Sequence, residues 1–390
     1  MVDKQKIDEL LTRGVENVFP DKSTLEKILS SGKKIKLYYG IDPTGTTLHL
    51  GHLVQLLKLK KFQDLGHEVV ILIGDFTAQI GDPTEKQTTR KPLTHKQVLE
   101  NAKGYKKQIS RVLHLKNLKI NFTHNAKWTN KLTPEDMLEL ASHFTVSNLL
   151  SRNMFQERIK AGREVYVHEF LYPIFQAYDA VTMGVDLQIG GNDQMFNMLA
   201  GRDLMKKKKH KEMFVLTTKL LVDPTGKKMG KTEGNMITLG DSANDMFGKV
   251  MSWSDDMIAV GFEICTELDF KDFAMEKPRD QKAKLAHEIV KICRGADAAD
   301  EAEQNFINTF QKKEIPDEIQ EVKAKTGELL SEVLVENKIL TSKGEWRRLV
   351  SGNGVHDLGK NQNITDPNIK ITENLTLKIG KKRFVKITLK

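Results

Sequence analysis

Two widely separated segments carry side chains suited to binding phosphate: Thr47-Leu48-His49-Leu50-Gly51-His52 and Lys227-Lys228-Met229-Gly230-Lys231-Thr232. His49 and His52 are spaced to share the first turn of a helix, where free backbone N–H groups and the positive end of the helix dipole favour an anion. Imidazoles placed there add donors. Lys228 and Lys231 form a cationic clamp in a Gly-punctuated stretch. Together the two segments read as a nucleotide site.

The first segment follows the apolar run Ile35 to Gly40, which reads as a buried strand, and leads into Leu53 to Phe62, which reads as an amphipathic helix. Further strands are expected at Val69 to Gly74, Leu118 to Phe122, Leu187 to Gly190 and Phe214 to Val222, alternating with helical patterns. That alternation predicts an α/β fold with a Rossmann-like, doubly wound parallel sheet. In such sheets ligands bind at the carboxyl ends of the strands. Tyr38, Gly40, Asp42, Asp75, Asp82 and the Gly190-Gly191-Asn192-Asp193-Gln194 segment all fall there. Residues from about 240 to 325 read as mostly helical. A small α+β unit follows, with strand-like runs at Leu375 to Ile379 and Arg383 to Ile387. The expected divisions are 1–225 for the catalytic sheet, 226–326 for the lysine segment and helical domain, and 327–390 for the last unit.

Other motifs fail on spacing. Gly226 to Thr232 has three residues between its glycines where a P-loop needs four. Gly352-Asn353-Gly354 lacks the third glycine of a dinucleotide fingerprint and reads as a turn. His49 and His52 have no third metal ligand nearby in sequence, so no resident metal is expected. Cys265 and Cys293 are too few and too far apart for a disulfide framework, and no secretion signal or membrane-spanning run is seen. A cytoplasmic protein is expected. Its net charge of +9 favours a polyanionic partner such as nucleic acid. Lys206 to Lys209 read as the solvated basic end of a helix.

From about residue 35 onward the chain resembles the bacterial-type tyrosyl-tRNA synthetases, which are class I aminoacyl-tRNA synthetases. Pro43 to His52 matches that family's HIGH motif and Lys228 to Thr232 its KMSKS motif. Gly230 and Thr232 depart from the two serines and leave both lysines in place; Leu50 for Ile conserves volume. The resemblance implies catalytic roles for His49, His52, Lys228, Lys231, Thr44 and Thr232. It implies ATP contacts at Gly40, Gly51, Gly191, Asp193 and Lys231. It also places Tyr38 and Asp179 on a substrate phenol, Tyr172 and Gln176 near its ammonium group, Gln188 and Gln194 near the tyrosine, and Asp42 and Asp82 on the ammonium or behind it. Tyr172, Gln176 and Asp179 are spaced by one helical turn each, so one helix face can present all three.

The implied reaction is adenylation of L-tyrosine by ATP, with Mg2+ on the phosphates, followed by tyrosyl transfer to tRNA(Tyr). No permanently bound cofactor is implied, and a homodimer is. The C-terminal unit resembles a small RNA-binding domain shared with a ribosomal protein. Ser342 to Val350 supplies a basic helix there with Lys343, Arg347 and Arg348 as RNA contacts. Two other readings stand beside this one: a tryptophanyl enzyme, which Asp179 with Tyr38 argues against, and an RNA-binding scaffold descended from a synthetase, which the intact His and Lys motifs argue against.

Overall fold

The computed structural model describes residues 3–83, 93–115, 120–222, 236–310, 319–360, 362–380 and 383–389. The chain separates into two compact units, Met1–Asp300 and Glu301–Lys390. In the first, six strands form one sheet: β1 (Val15–Phe19), β2 (Lys36–Ile41), β3 (Glu68–Ile73), β4 (Ile120–His124), β5 (Leu187–Gly191) and β6 (Phe214–Thr218). Their order is β1-β6-β5-β2-β3-β4, with all neighbours parallel except the β1–β6 edge pair. Strands buried on both faces read as continuous apolar runs, and Val69 to Ile73 of β3 are all buried.

The chain winds from β2 through β3 to β4, then crosses back to β5 on the other side of β2. This reversal is the switch point at which doubly wound sheets bind ligands. The β2–β5 pairing is short, Leu37↔Leu187 and Tyr38↔Gln188. The carboxyl ends of these two strands therefore lie next to each other without being joined by further ladder bonds.

Three elements differ from the sequence expectation. The helix after β2 runs Leu50–Asp64 and is not amphipathic, since Gln55, Lys58 and Gln63 are buried along with its leucines. It is covered on the sheet side by β3 and β5, and elsewhere by the helices Lys4–Thr12 and Met257–Cys265. Buried polar groups need partners, and Gln55 donates to the Thr218 hydroxyl while the Lys58 ammonium donates to the carbonyls of Leu10 and Arg13. β1 has no clear apolar signature because it is a five-residue edge strand with a bulge near Val15. Gln320–Ala324, inside the stretch read as helical, is strand β7.

The second unit has a five-stranded sheet of order β7-β11-β10-β8-β9, completed by β8 (Val355–Asp357), β9 (Gln362–Asn363), β10 (Leu375–Ile379) and β11 (Arg383–Leu389). Helices Leu330–Glu336 and Lys343–Ser351 share its core with Val322, Leu377, Val385 and Ile387. Trp346 anchors the second helix, its ring buried and its Nε1 donating to the Pro367 carbonyl at 2.7 Å. Asn353 takes a positive φ of 52°, and Gly354 N–H returns to Leu349 O at 2.7 Å, so this segment is a turn.

Candidate active site

β2 ends at Ile41, and the chain makes a loop over 42–48 before His49 caps the Leu50–Asp64 helix. Three side chains hold the loop through its backbone. Asn101 donates to Pro43 O, Tyr105 to Gly45 O, and the Gln108 amide bridges Leu48 N–H and Thr46 O. The helix start then uses both histidines. Gly51 N–H donates to His49 Nδ1 and His49 N–H to His52 Nδ1, each at 3.1 Å. A nitrogen that accepts carries no proton, so this geometry puts the ring proton of both imidazoles on Nε2. Two N–H donors are thus oriented by the cap itself, with ring centroids 4.0 Å apart. Gly51 lets the His49 ring sit over the turn, because a Cβ would lie 2.8 Å from His49 Cε1 and push the ring aside.

A strand presents alternate residues on one face. Tyr38 and Gly40 of β2, Leu72 of β3 with Gly74 just beyond it, and Gln188 and Gly190 of β5 fall on the same face by register, and Asp42 continues the β2 series. Three glycines at the carboxyl ends leave the sheet without side chains there. Helix Val167–Met183 covers this face: its Tyr172 hydroxyl donates to Asp42 Oδ2 at 2.8 Å, and Thr77 donates to Asp42 Oδ1 at 2.7 Å. Gly74 permits the arrangement, since a Cβ would fall 1.9 Å from Asp42 Oδ1.

Two turns along the helix, Asp179 is 2 % exposed. It accepts from Asn125 Nδ2 at 3.1 Å and from Trp128 Nε1 at 2.7 Å. Burial pushes its carboxyl up to about 8 despite the opposing pull of these two bonds. The Tyr38 hydroxyl, fully buried, has no hydrogen-bond partner among the described residues. Burial first, and the Asp179 charge second, raise its pKa well above that of an ordinary phenol. A buried carboxyl and a buried phenolic oxygen thus lie close enough for the charge of one to act on the other.

After β5 the chain enters the turn Asn192–Gln194. Gln194 Nε2 donates to Asp82 Oδ2 at 2.6 Å, and Asn197 donates to Gln194 Oε1 at 3.1 Å, which sets the orientation of the Gln194 amide. Asp193 folds back over Gly191, whose Cβ would lie 2.5 Å from Asp193 Oδ1. Gln188 is buried, and its Oε1 has no partner among the described residues.

The structure thus joins several expected residues directly: Asp42 with Tyr172, Asp82 with Gln194, and His49 with His52. Tyr38 lies within electrostatic reach of Asp179. Gln176 is half-buried on the same helix as Tyr172 and Asp179, and Gly40 is exposed at the end of β2. Thr44 is half-buried in the loop, its N–H on Asp42 O. Asp75 instead serves the scaffold, accepting from Ala126 N–H and facing His124 Nδ1 at 3.0 Å. Lys228, Lys231 and Thr232 lie outside the described residues. In the second unit Lys343, Arg347 and Arg348 are exposed on their helix, with Lys343 paired to Glu332 at 2.7 Å. Among the described residues no group of His, Cys, Asp and Glu could hold a metal ion, and no helix is long and apolar enough to cross a membrane.

Sequence reasoning missed Gly74, Thr77, Asn125 and Trp128. A signal existed for each, since Gly74 and Thr77 follow β3 and Asn125 and Trp128 follow β4, at the same carboxyl edge.

A family model described as tRNA synthetases class I (W and Y) matches residues 30–311. The chain is 42% identical to the tyrosine–tRNA ligase of Carboxydothermus hydrogenoformans and 41% identical to that of Idiomarina loihiensis, over 97% of each chain in both cases. A solved structure of C-terminally truncated Aspergillus nidulans mitochondrial tyrosyl-tRNA synthetase shares the fold, with a TM-score of 0.65 at 22% identity over 78% of this chain and 94% of that one. A chain that matches the model over most of its first unit, and these relatives nearly end to end, belongs to the class I tRNA synthetases of the tryptophan and tyrosine kind.

Proposed function

We propose that the chain is a tyrosine–tRNA ligase. The observation that carries the reading is a buried phenol and a buried carboxyl, Tyr38 and Asp179, within electrostatic reach of each other at the switch point of the sheet. A site that pairs a hydroxyl rejects the analogue without one, because its polar groups would be stranded; tyrosyl-tRNA synthetase against phenylalanine is the standard instance of this rule. Asp179 and Tyr38 take the phenol of L-tyrosine. Asp82, Tyr172, Gln176 and Gln194 take its ammonium group, with Asp42 holding Tyr172 in place and Gln188 lining the floor.

The tyrosine carboxylate attacks the α-phosphorus of MgATP, and pyrophosphate leaves. The 3′-terminal hydroxyl of tRNA(Tyr) then displaces AMP from the adenylate. Neither step needs a covalent link to the protein. Charge accumulates on the phosphate oxygens as the first transition state forms, so donors aimed there are the main catalytic term. His49 and His52 supply Nε2–H groups already fixed by the helix cap. Lys228 and Lys231 supply mobile charge, Thr44 and Thr232 hydroxyl contacts, Asp193 the ribose contact, and Gly40, Gly51 and Gly191 the close approach of backbone to ATP. Magnesium arrives with the nucleotide.

The exposed Lys343, Arg347 and Arg348 contact tRNA phosphates in this reading, in keeping with the net charge of +9. The protein acts in the cytoplasm as a homodimer. Support for a self-association surface comes from Leu138, Val146, Ile159, Tyr166 and Val167, large apolar side chains left exposed within one stretch of the chain. ATP–pyrophosphate exchange with tyrosine, phenylalanine and tryptophan in turn tests the reading: exchange confined to tyrosine supports it, and exchange with tryptophan alone overturns it.

A further inference from the structure

The histidine turn is tied to a second stretch of chain far away in sequence. Residues Ile237 to Leu239 lie antiparallel against Leu48 to Leu50: Leu50 N–H donates to Ile237 O at 3.1 Å, Leu239 N–H donates to Leu48 O at 2.8 Å, and His49 and Thr238 form the bridge between them. Two bonds are a short ladder. What holds the stretch in register is Asp241. Its Oδ2 accepts from Thr238 N–H at 2.9 Å and from Lys249 Nζ at 2.7 Å, and its Oδ1 accepts from the Thr238 hydroxyl at 2.7 Å. Lys249 comes from the following helix, Ala243–Met251. Arg111 Nη1 donates to Leu239 O at 2.6 Å, and the Arg294 guanidinium donates to the backbone carbonyl of Asp241 itself. Gly240 lets the turn close on the loop, because a Cβ there would come within 3.0 Å of Thr47 Cγ2.

We propose that Asp241 is a positioning residue for adenylate formation: it clips Thr238 so that the Ile237–Leu239 stretch holds the Leu48–Leu50 backbone, and through it the His49 and His52 cap. This deepens the ligase reading and rests on it. The carboxylate is suited to the task because both of its oxygens face donors on the turn and the next helix. Burial disfavours its charge, but the bonds from Lys249 and Thr238 outweigh that and keep the carboxyl below its ordinary pKa. In sequence, Lys231 precedes Met236 by a few residues. The lysine motif thus stands just before the clipped stretch in sequence.

The test compares Asp241→Ala with Asp241→Asn, and with Ser242→Ala next to it. Ser242 caps the Ala243–Met251 helix by accepting from Asp245 N–H at 3.1 Å. Its loss weakens the same helix without opening the clip. Full-length protein of each variant is assayed for tyrosine-dependent pyrophosphate exchange, tyrosine binding by equilibrium dialysis, and thermal midpoint. Asp241→Ala is expected to lower the exchange kcat roughly 10- to 100-fold, with tyrosine affinity within about twofold of wild type. Asp241→Asn keeps an acceptor for Thr238 N–H and should recover part of the rate, and Ser242→Ala should keep the wild-type rate at a comparable midpoint loss. Equal rate losses in Asp241→Ala and Ser242→Ala, or a wild-type kcat in Asp241→Ala, overturn the proposal. A wild-type protein without tyrosine-dependent exchange overturns the ligase reading instead, so the two failures are distinct.

Discussion

Truncating Asp179 separates what the pocket does for any amino acid from what it does for a phenol. The carboxyl group accepts from Asn125 Nδ2 and Trp128 Nε1. Asp179→Ala strands both donors whichever substrate is bound, at about 1–3 kcal/mol for each buried group left unpaired. That cost falls on stability and on both activities. Above about pH 8, where the carboxyl is ionised, the loss specific to tyrosine is one hydrogen bond to a charged acceptor, about 1.5–3 kcal/mol. At about 1.4 kcal/mol per tenfold, the tyrosine-to-phenylalanine ratio of kcat/KM should fall roughly 10- to 150-fold. Asp179→Asn is no milder: an amide NH2 would meet a donor on one side. Asn125 cannot turn over to relieve it, because its Oδ1 already accepts from Phe76 N–H at 2.8 Å.

The same carboxyl gives the pocket a pH signature. With burial holding it at about 8, the ligand-free protein is mostly protonated there below that pH. Tyrosine donates best to the ionised form. Its affinity relative to phenylalanine should rise as pH approaches 8 and level off above, the titration of the shared α-ammonium cancelling in the ratio. Stability moves the other way. A raised carboxyl pKa means that the folded state keeps a proton the unfolded chain has lost, so this group's contribution declines as pH climbs from about 4 in the unfolded chain towards 8. The full span is on the order of 5 kcal/mol. Pyrophosphate exchange with both amino acids, on each side of pH 8, reads the first effect; urea melts of wild type against Asp179→Asn read the second. A substrate ratio that neither Asp179→Ala nor pH alters refutes the pocket assignment.

Other substitutions probe the remaining parts of the site. His52→Ala or Lys231→Ala should slow adenylate formation by roughly two to three powers of ten at nearly unchanged tyrosine affinity, as single-turnover kinetics would show. Gly74→Ala forces a Cβ into the position of Asp42 Oδ1, so it should displace Asp42 from Tyr172 and raise the tyrosine KM by about tenfold or more, measured by exchange. Arg347→Ala with Arg348→Ala should leave exchange intact while weakening tRNA charging and flattening its salt dependence by up to about two units of slope; unchanged charging at every salt would remove these residues from the RNA surface.

Legibility in the sequence followed the range of the forces involved. β2, β3 and β5 begin or end within a residue or two of the apolar runs that announce them, because central parallel strands are buried on both faces and need no partner information to be recognised. β10 was equally plain from its alternating Leu375, Leu377 and Ile379. Edge strands β1 and β7 carry charged residues and acquire their conformation from β6 and β11, which a local pattern does not contain. The Leu50–Asp64 helix was visible, but its burial was not: a lysine reads as solvent-facing until Leu10 O and Arg13 O are known to receive it. The histidines were found because their spacing is itself the motif. Asn125 and Trp128 were not, since their importance lies in a contact with a helix about fifty residues on.

That division also explains how the pocket attains its polarity. The acceptors and donors arrive at the switch point from four strand ends: Tyr38 and Asp42 from β2, Thr77 and Asp82 after β3, Asn125 and Trp128 after β4, Gln194 after β5. The helix from Val167 to Met183 crosses above them and adds Tyr172 and Asp179. No single segment holds the site, and the segments of Asp42, Thr77 and Asn125 are each bonded to two others. Asn125 shows the consequence most directly, with its amide donating to Thr77 and Asp179 and its carbonyl accepting from Phe76 N–H. A side chain so fully engaged has one orientation, and it passes that orientation to Asp179. The glycines at the ends of β3 and β5 are the complement of this network: without a Cβ at Gly74 or Gly190, Asp42, Thr77 and Met198 can close in on the sheet, and a rigid polar wall held this way can discriminate one hydroxyl.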